Sequence, residues 1–407
     1  MTSRLSRDAR ILFATRFLRL FAYGGLATVL LLHLAAAGMS ERQAGLLLTA
    51  ALLGDTAISL ALTTAADRFG RRKTLLAGAV LMLLAGAVFA VTANPVILLL
   101  AAIVGVISPS GSEVGPFIAV EQASLAEVSL EADRTAILSW YNLTGSVGTA
   151  LGSLAAGLAV KFLEASGLPA AEAYRSIVVA YGACGVVLGL LFLLLRRNVE
   201  PCAPAPTAPL FLGLHKSRAV VFRLSALFAL DGFGGAFVLQ AVVAYWFHVR
   251  HGVPEATLGA IFFGANLLAG LSGLVASRIA KRFGLINTMV FTHLPSNVLL
   301  ILVPFMPTPA LAVAVLLARF SLSQMDVPTR QAFMFSVVDA DERSAAAGVT
   351  GVARTTGAAL APVFVGPLLA SPALAGVPFF VAGALKIAYD LLLYRSFRRV
   401  HPPGLKA

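Results

Sequence analysis

The chain has 407 residues, of which 58% are hydrophobic and only 12% charged, with a mean hydropathy of +0.88. Soluble domains run about 45–50% apolar and about 25% charged, so a soluble globule is excluded and a polytopic membrane protein is expected. The formal net charge of +12 would suit nucleic acid, but its distribution argues otherwise. Most Lys and Arg fall in alternate connections between apolar stretches, with only Arg42, Lys161, Arg175 and Arg250 in the opposite set. That asymmetry is the positive-inside signal of membrane topology, and no nucleic-acid partner is expected.

The first apolar stretch, 17–37, follows Arg4, Arg7, Arg10 and Arg16. No small-x-small cleavage site appears at Gly38-Met39-Ser40-Glu41 and another span follows at once, so it reads as a retained first helix. Spans of spanning length follow at 46–66, 74–93, 96–123, 137–161 and 175–195. A segment with Pro201, Pro204, Pro206 and Pro209 then stiffens into an extended spacer. Beyond it lie 219–247, 256–280, 286–306, 309–332, 345–370 and 376–394. The expected organisation is therefore a bundle over 1–196, a linker over 197–218 and a second bundle over 219–407. Basic residues at both ends, including Arg395, Arg398, Arg399 and Lys406, put both termini in the cytoplasm, with a bacterial inner membrane as the expected location. Cys184 and Cys202 lack metal or disulfide spacing. No nucleotide-binding loop is present, so no cofactor and no direct use of ATP are expected.

Between the second and third spans lies Asp67-Arg68-Phe69-Gly70-Arg71-Arg72-Lys73, a dense charge cluster between two apolar runs. It resembles the loop between the second and third helices of the major facilitator superfamily, G-x-x-x-D-R-x-G-R-[RK]-[RK], departing from it at Thr63. The resemblance implies an all-α membrane protein of twelve transmembrane helices in two pseudo-symmetric six-helix bundles. It further implies that the loop is a cytoplasmic gate. Asp67 would meet the N-terminus of the eleventh span, and Arg68 and Arg71 would pair with Glu121, Glu127 or Glu131. The run Gly148-x-x-x-Gly152-Ser153-x-x-Ala156-Gly157 looks like the superfamily's antiporter signature in the fifth helix, with Ser153 in the place of its proline. Read from the residues alone, small side chains four apart let helix backbones approach closely.

The halves are related by sequence. Sliding the chain by 214 lays Asp67-Arg68-Phe69-Gly70 on Lys281-Arg282-Phe283-Gly284, and by 209 lays Glu121-Gln122-Ala123 on Arg330-Gln331-Ala332. Sliding by 210 sets Tyr23-Gly24-Gly25 on Phe233-Gly234-Gly235 and Asp231 opposite Phe21. Parallel repeats of this kind place a transport site between the halves.

Ionisable groups inside spans are functional candidates by default. Glu113 stands in Ser108-Pro109-Ser110-Gly111-Ser112-Glu113-Val114-Gly115-Pro116, which no undisturbed helix would choose. Such backbone at membrane depth survives only against protein or a wet cavity. Ser321-Leu322-Ser323-Gln324-Met325-Asp326-Val327-Pro328 is its irregular counterpart in the second half. Glu113, Asp231 and Asp55 are the candidates for proton coupling, each with structural ion pairing as the alternative. Arg354, Arg319 and Asp326 are candidates for substrate contact or charge pairing. Asn142 with Tyr141, Gln240, and Asn266 could add polar contacts and aromatic walls, or simply pack.

The function expected is proton-driven export of a small organic molecule by alternating access, from a protein that is not an enzyme. Its partners would be the substrate, protons and membrane lipids, and it would act as a monomer. Proton-coupled uptake of a small organic anion is the alternative within transport. A lipid scramblase or membrane-embedded enzyme is the alternative outside it.

Overall fold

In hydrocarbon every backbone polar group must be satisfied within the protein, so apolar runs of about 20 residues become helices. The computed structural model describes residues 6–113, 115–128, 134–196, 199–200, 214, 216–339 and 342–398, without the side chains of 64, 65, 67, 68, 126, 127, 134–136, 277 and 344. The helices are α1 (Arg7–Ala36), α2 (Glu41–Phe69), α3 (Arg71–Val91), α4 (Pro95–Val104), α5 (Phe117–Glu127), α6 (Arg134–Ala165), α7 (Ala170–Leu193) and α8 (Arg218–Ala236). They continue as α9 (Gln240–His251), α10 (Glu255–Phe283), α11 (Leu285–Leu302), α12 (Pro309–Ser323), α13 (Asp326–Ser336), α14 (Arg343–Leu360), α15 (Pro362–Leu369) and α16 (Val377–Phe397). No strand occurs among the described residues.

Among the described residues eleven stretches are long and apolar enough to cross a membrane. The expected fourth span is the exception, because it is split into α4 and α5 around an irregular stretch at 105–116. Span starts carry the signals their sequences offer. Ser40 and Gln43 form a reciprocal capping box on α2, and Asn94 accepts from the Val96 and Ile97 N–H groups ahead of α4.

The described chain packs as two compact units, Met1–Ala205 with Leu239–Leu267, and Pro206–Val238 with Leu268–Ala407. In the first, α1 crosses α6 on glycines: a side chain at Gly24 would overlap the Thr149 carbonyl, and one at Gly152 the Phe21 carbonyl. Ser153 donates to the Gly24 carbonyl at 3.1 Å. The antiporter-like run therefore serves as a close-packing seam here, as small residues four apart allow. In the second unit α8 meets α14 the same way, with Gly357 against Ala229 and Gly232 against Arg354.

Gly70 turns the chain between α2 and α3 at φ +102°, and Gly284 makes the matching corner before α11 at +83°. Both lie in the left-handed region where a Cβ is strained. At the first corner the Arg71 and Arg72 amides donate to Glu200 at 2.6 and 3.1 Å. Arg71 also reaches the Val199 carbonyl, and Arg72 that of Leu193. A carboxylate on unpaired N–H groups at a helix N-terminus is stabilised by the dipole. Glu200→Gln is expected to lower stability by about 0.5–1 kcal/mol, read as a small drop in the thermal midpoint in detergent. An unchanged midpoint would show that Glu200 does not anchor this turn.

Candidate membrane-embedded charge sites

Pro109, Gly111, Gly115 and Pro116 break the fourth span, with Gly111 and Gly115 at φ +67° and +80°. The freed backbone groups find partners on other helices. Tyr181 of α7 donates to the Val106 carbonyl and Thr149 of α6 to that of Gly111. The Ala241 amide at the start of α9 donates to the Pro109 carbonyl at 3.0 Å. Asp55 of α2 accepts from the Gly115 amide and, at 3.1 Å, from Ser59. Asp55 thus binds the irregular segment, a job its mid-span position gave no way to foresee.

Glu113 projects from that segment toward α1. One carboxylate oxygen accepts from both Arg16 and Arg19, the latter at 3.0 Å. The other is buried and has no hydrogen-bond partner among the described residues. Arg19 is completely buried. It grips Glu121 with both terminal nitrogens, at 2.9 and 2.7 Å, the bidentate geometry a planar guanidinium favours. Thr15, at 2.8 Å, and Tyr141 complete the shell of Glu121. Arg16 lies over the Tyr141 ring and Arg19 over Phe117, each within 5 Å of the ring centroid. Two acids and two arginines are balanced here.

Several expected roles change accordingly. Glu121, anticipated as a partner for the motif loop, is instead bound by Arg19, Tyr141 and Thr15. Tyr141 faces that carboxylate and is fully buried, whereas Asn142, one residue on, is exposed on a different face of α6. Of the remaining loop residues, Lys73 is exposed. The side chains of Asp67, Arg68 and Glu127, and all of Glu131, lie outside the described residues. Gln240 opens α9 and donates to the Gly24 carbonyl, Thr28 and Ser153 at 3.0–3.3 Å, while its carbonyl accepts from Asn266 at 3.1 Å. Gln240 and Asn266, expected separately, are hydrogen-bonded to each other.

In the second unit Asp231 of α8 is the hub. Its oxygens accept from Lys386 of α16 at 2.5 Å and from Arg330 of α13 at 3.0 Å. Arg330 also reaches Asp326, four residues back, at 3.2 Å. Nearby, Asp390 of α16 is held by His293 at 2.9 Å and Asn297 at 3.0 Å. Arg354 approaches Asp231 only to 3.6 Å with its side chain 44% exposed. Arg319 lies over Phe320, with no ion pair or side-chain hydrogen bond among the described residues.

Sequence reasoning missed Arg16, read only as part of a basic start, and it missed Arg19, Lys386, Asp390 and Arg330 as site residues. The signal for Lys386 and Asp390 was present: charges four apart inside the last span, the criterion that selected Asp231. Among the described residues no group of three or more His, Cys, Asp or Glu could hold a metal ion.

The model of the Major Facilitator Superfamily matches residues 12–362. The chain belongs to that superfamily. An uncharacterized membrane protein of Saccharomyces cerevisiae is 31% identical over 426 residues, covering 96% of this chain and 94% of the yeast one. Among solved structures, a mutant of the nucleoside transporter NupG superposes with a TM-score of 0.78 at 14% identity, covering 96% of this chain and 100% of that one. The D-xylose-proton symporter gives 0.70 at 16% identity, covering 95% and 97%. At such identities these likenesses show the fold alone. The major facilitator fold accounts for the broad architecture: a multi-pass, all-helical membrane protein of the kind that carries out secondary transport of small molecules.

Proposed function

We propose that the protein is a proton-coupled secondary transporter that exports a small organic molecule, with Glu113 as the group that takes up and releases the proton. The observation that carries this reading is the state of its carboxylate. One oxygen is shared by Arg16 and Arg19, while the other is buried without a hydrogen-bond partner among the described residues. An acid half satisfied at a broken helix is suited to exchange charge, and irregular backbone in matching places of two repeats is a pointer to a transport site. Protonation of Glu113 would free Arg16 and loosen the hold of the segment at 105–116 on α1. In this reading the halves 1–196 and 219–407, joined by 197–218, alternate in access, with both termini cytoplasmic and the loop Asp67–Lys73 as the gate.

A thermal-shift screen of metabolites and drugs on wild type and Glu113→Gln supplies a ligand. Transport of that ligand by proteoliposomes under a pH gradient is then the test. Glu113→Gln is expected to lose the response to the gradient, by about tenfold or more in rate as for a missing proton-transfer group, while still exchanging ligand at equal pH. A gradient response equal to wild type would overturn the assignment. The sign of the lumenal pH change on adding ligand separates exchange from co-transport. A second reading, uptake of an organic anion, is favoured by the incompletely paired Arg354 and Arg319.

A further inference from the structure

The two units differ in how their buried charge is matched. In the first, Arg16 and Arg19 are answered by Glu113 and Glu121. In the second, Asp231 and Asp326 are fully used by Lys386 and Arg330, and Asp390 is held by His293 and Asn297. Two guanidinium groups are matched only loosely or not at all among the described residues. Arg354 comes no nearer than 3.6 Å to an acid that already has two cations on it. Arg319 has no ion pair or side-chain hydrogen bond among the described residues, and its buried Nε is unsatisfied. The acids within electrostatic reach of both are Asp231 and Asp326, which are the ones already matched.

Both surplus arginines sit deep in the membrane. Arg319 lies ten residues into the crossing Pro309–Ser336 and Arg354 nine residues into Ala345–Leu369, so each is about 15 Å from where its span begins, at 1.5 Å per residue. That is near the middle of a hydrocarbon core about 30 Å thick. A charged side chain at such depth is unfavourable in lipid and faces a water-filled space instead. The exposed side of Arg354 is therefore read as wet. There is room beside it: on the exposed side of α14, Gly348 and Gly351 have nothing within 4 Å of where a side chain would begin. A guanidinium offers five N–H donors in a flat fork that fits carboxylate and phosphate oxygens pairwise.

We infer that Arg319 and Arg354 form an anion-binding site in the second unit, and that the cargo is an organic molecule bearing an oxyanion: a carboxylate, a phosphate monoester or a sulfonate. This rests on the transport reading only in taking the bound anion as cargo; the binding itself needs no proton coupling.

The test uses the purified full-length protein in nanodiscs, without any gradient. Its thermal midpoint is measured with a panel of carboxylates, phosphate monoesters and sulfonates, each paired with its uncharged counterpart. The expected result is that at least one anion raises the midpoint well beyond its neutral partner, and the class that does so identifies the oxyanion. Isothermal titration of that anion is expected to show binding weakened by about ten- to hundredfold in Arg354→Gln and in Arg319→Gln, as for losing one charged hydrogen-bonding partner. Arg354→Lys keeps the charge but not the fork, and should fall between. Neutral compounds acting as well as anions would overturn the site, and so would anion affinity at wild-type level in Arg354→Gln and Arg354→Lys. A protein that binds anions but ignores a pH gradient keeps this inference and refutes the proton assignment. One that responds to the gradient with neutral cargo does the reverse.

Discussion

Arg19→Met is expected to destabilise the protein by about 3–5 kcal/mol, the cost of removing one partner from a buried ion pair. Among the described residues only Arg19 bonds both Glu113 and Glu121, and it is completely buried. Its loss leaves Glu121, itself fully buried, with only Thr15 and Tyr141. Hydroxyl groups do not offset a carboxylate charge taken out of water. The double variant Arg19→Met/Glu121→Met should recover much of the loss, since replacing a whole buried pair by apolar groups is often close to neutral. The check is the thermal midpoint and the fraction of monodisperse protein after extraction, compared across wild type, single and double variants. A single variant as stable as wild type would mean the charges are not held as described.

Asp231→Ala should be comparably severe for the opposite reason: it strands cations. Lys386 loses the oxygen 2.5 Å away and Arg330 one of its two acids. Arg354 loses the acid that stands 3.6 Å from its Nε. An uncompensated ammonium or guanidinium costs about 2.5–3.5 kcal/mol at mid-membrane on insertion scales. Asp326→Ala, which leaves Arg330 still bound to Asp231, is expected to be milder. The order of the two thermal midpoints is the measurement, and the reverse order would show that Asp231 is not the hub.

Much of this was legible in the sequence, and the rest fails for identifiable reasons. The apolar runs give the spans because lipid leaves the backbone no alternative to helix. The Pro and Gly residues between Ser108 and Pro116 mark the interruption that separates α4 from α5. What one-dimensional reading cannot supply is the neighbour. Arg19 stands only two residues inside the first apolar run, and nothing in its own helix points to Glu113, 94 residues away. Glu121 was grouped with the acids of the following connection because it stands two residues from the end of the expected span 96–123. The counterpart of Asp231 was misjudged for a subtler reason. Matching Tyr23-Gly24-Gly25 to Phe233-Gly234-Gly235 pairs Asp231 with Phe21. The helix crossings set the register differently: Gly148 stands against Phe17 and Gly357 against Ala229. A shift of 212 in that pair of helices brings Asp231 onto Arg19, so the acid is not an addition to an apolar place.

The two repeats therefore carry the same buried bond with its signs exchanged: Arg19 to Glu121 in one, Asp231 to Arg330 in the other. A duplicated chain risks a helix of one copy docking where its twin belongs during membrane assembly. Here such an exchange would press arginine on arginine in one place and aspartate on glutamate in the other, with no water to shield them. The buried pair of each half is thus electrostatically mismatched to that of its sibling, a like-charge penalty that disfavours the exchange.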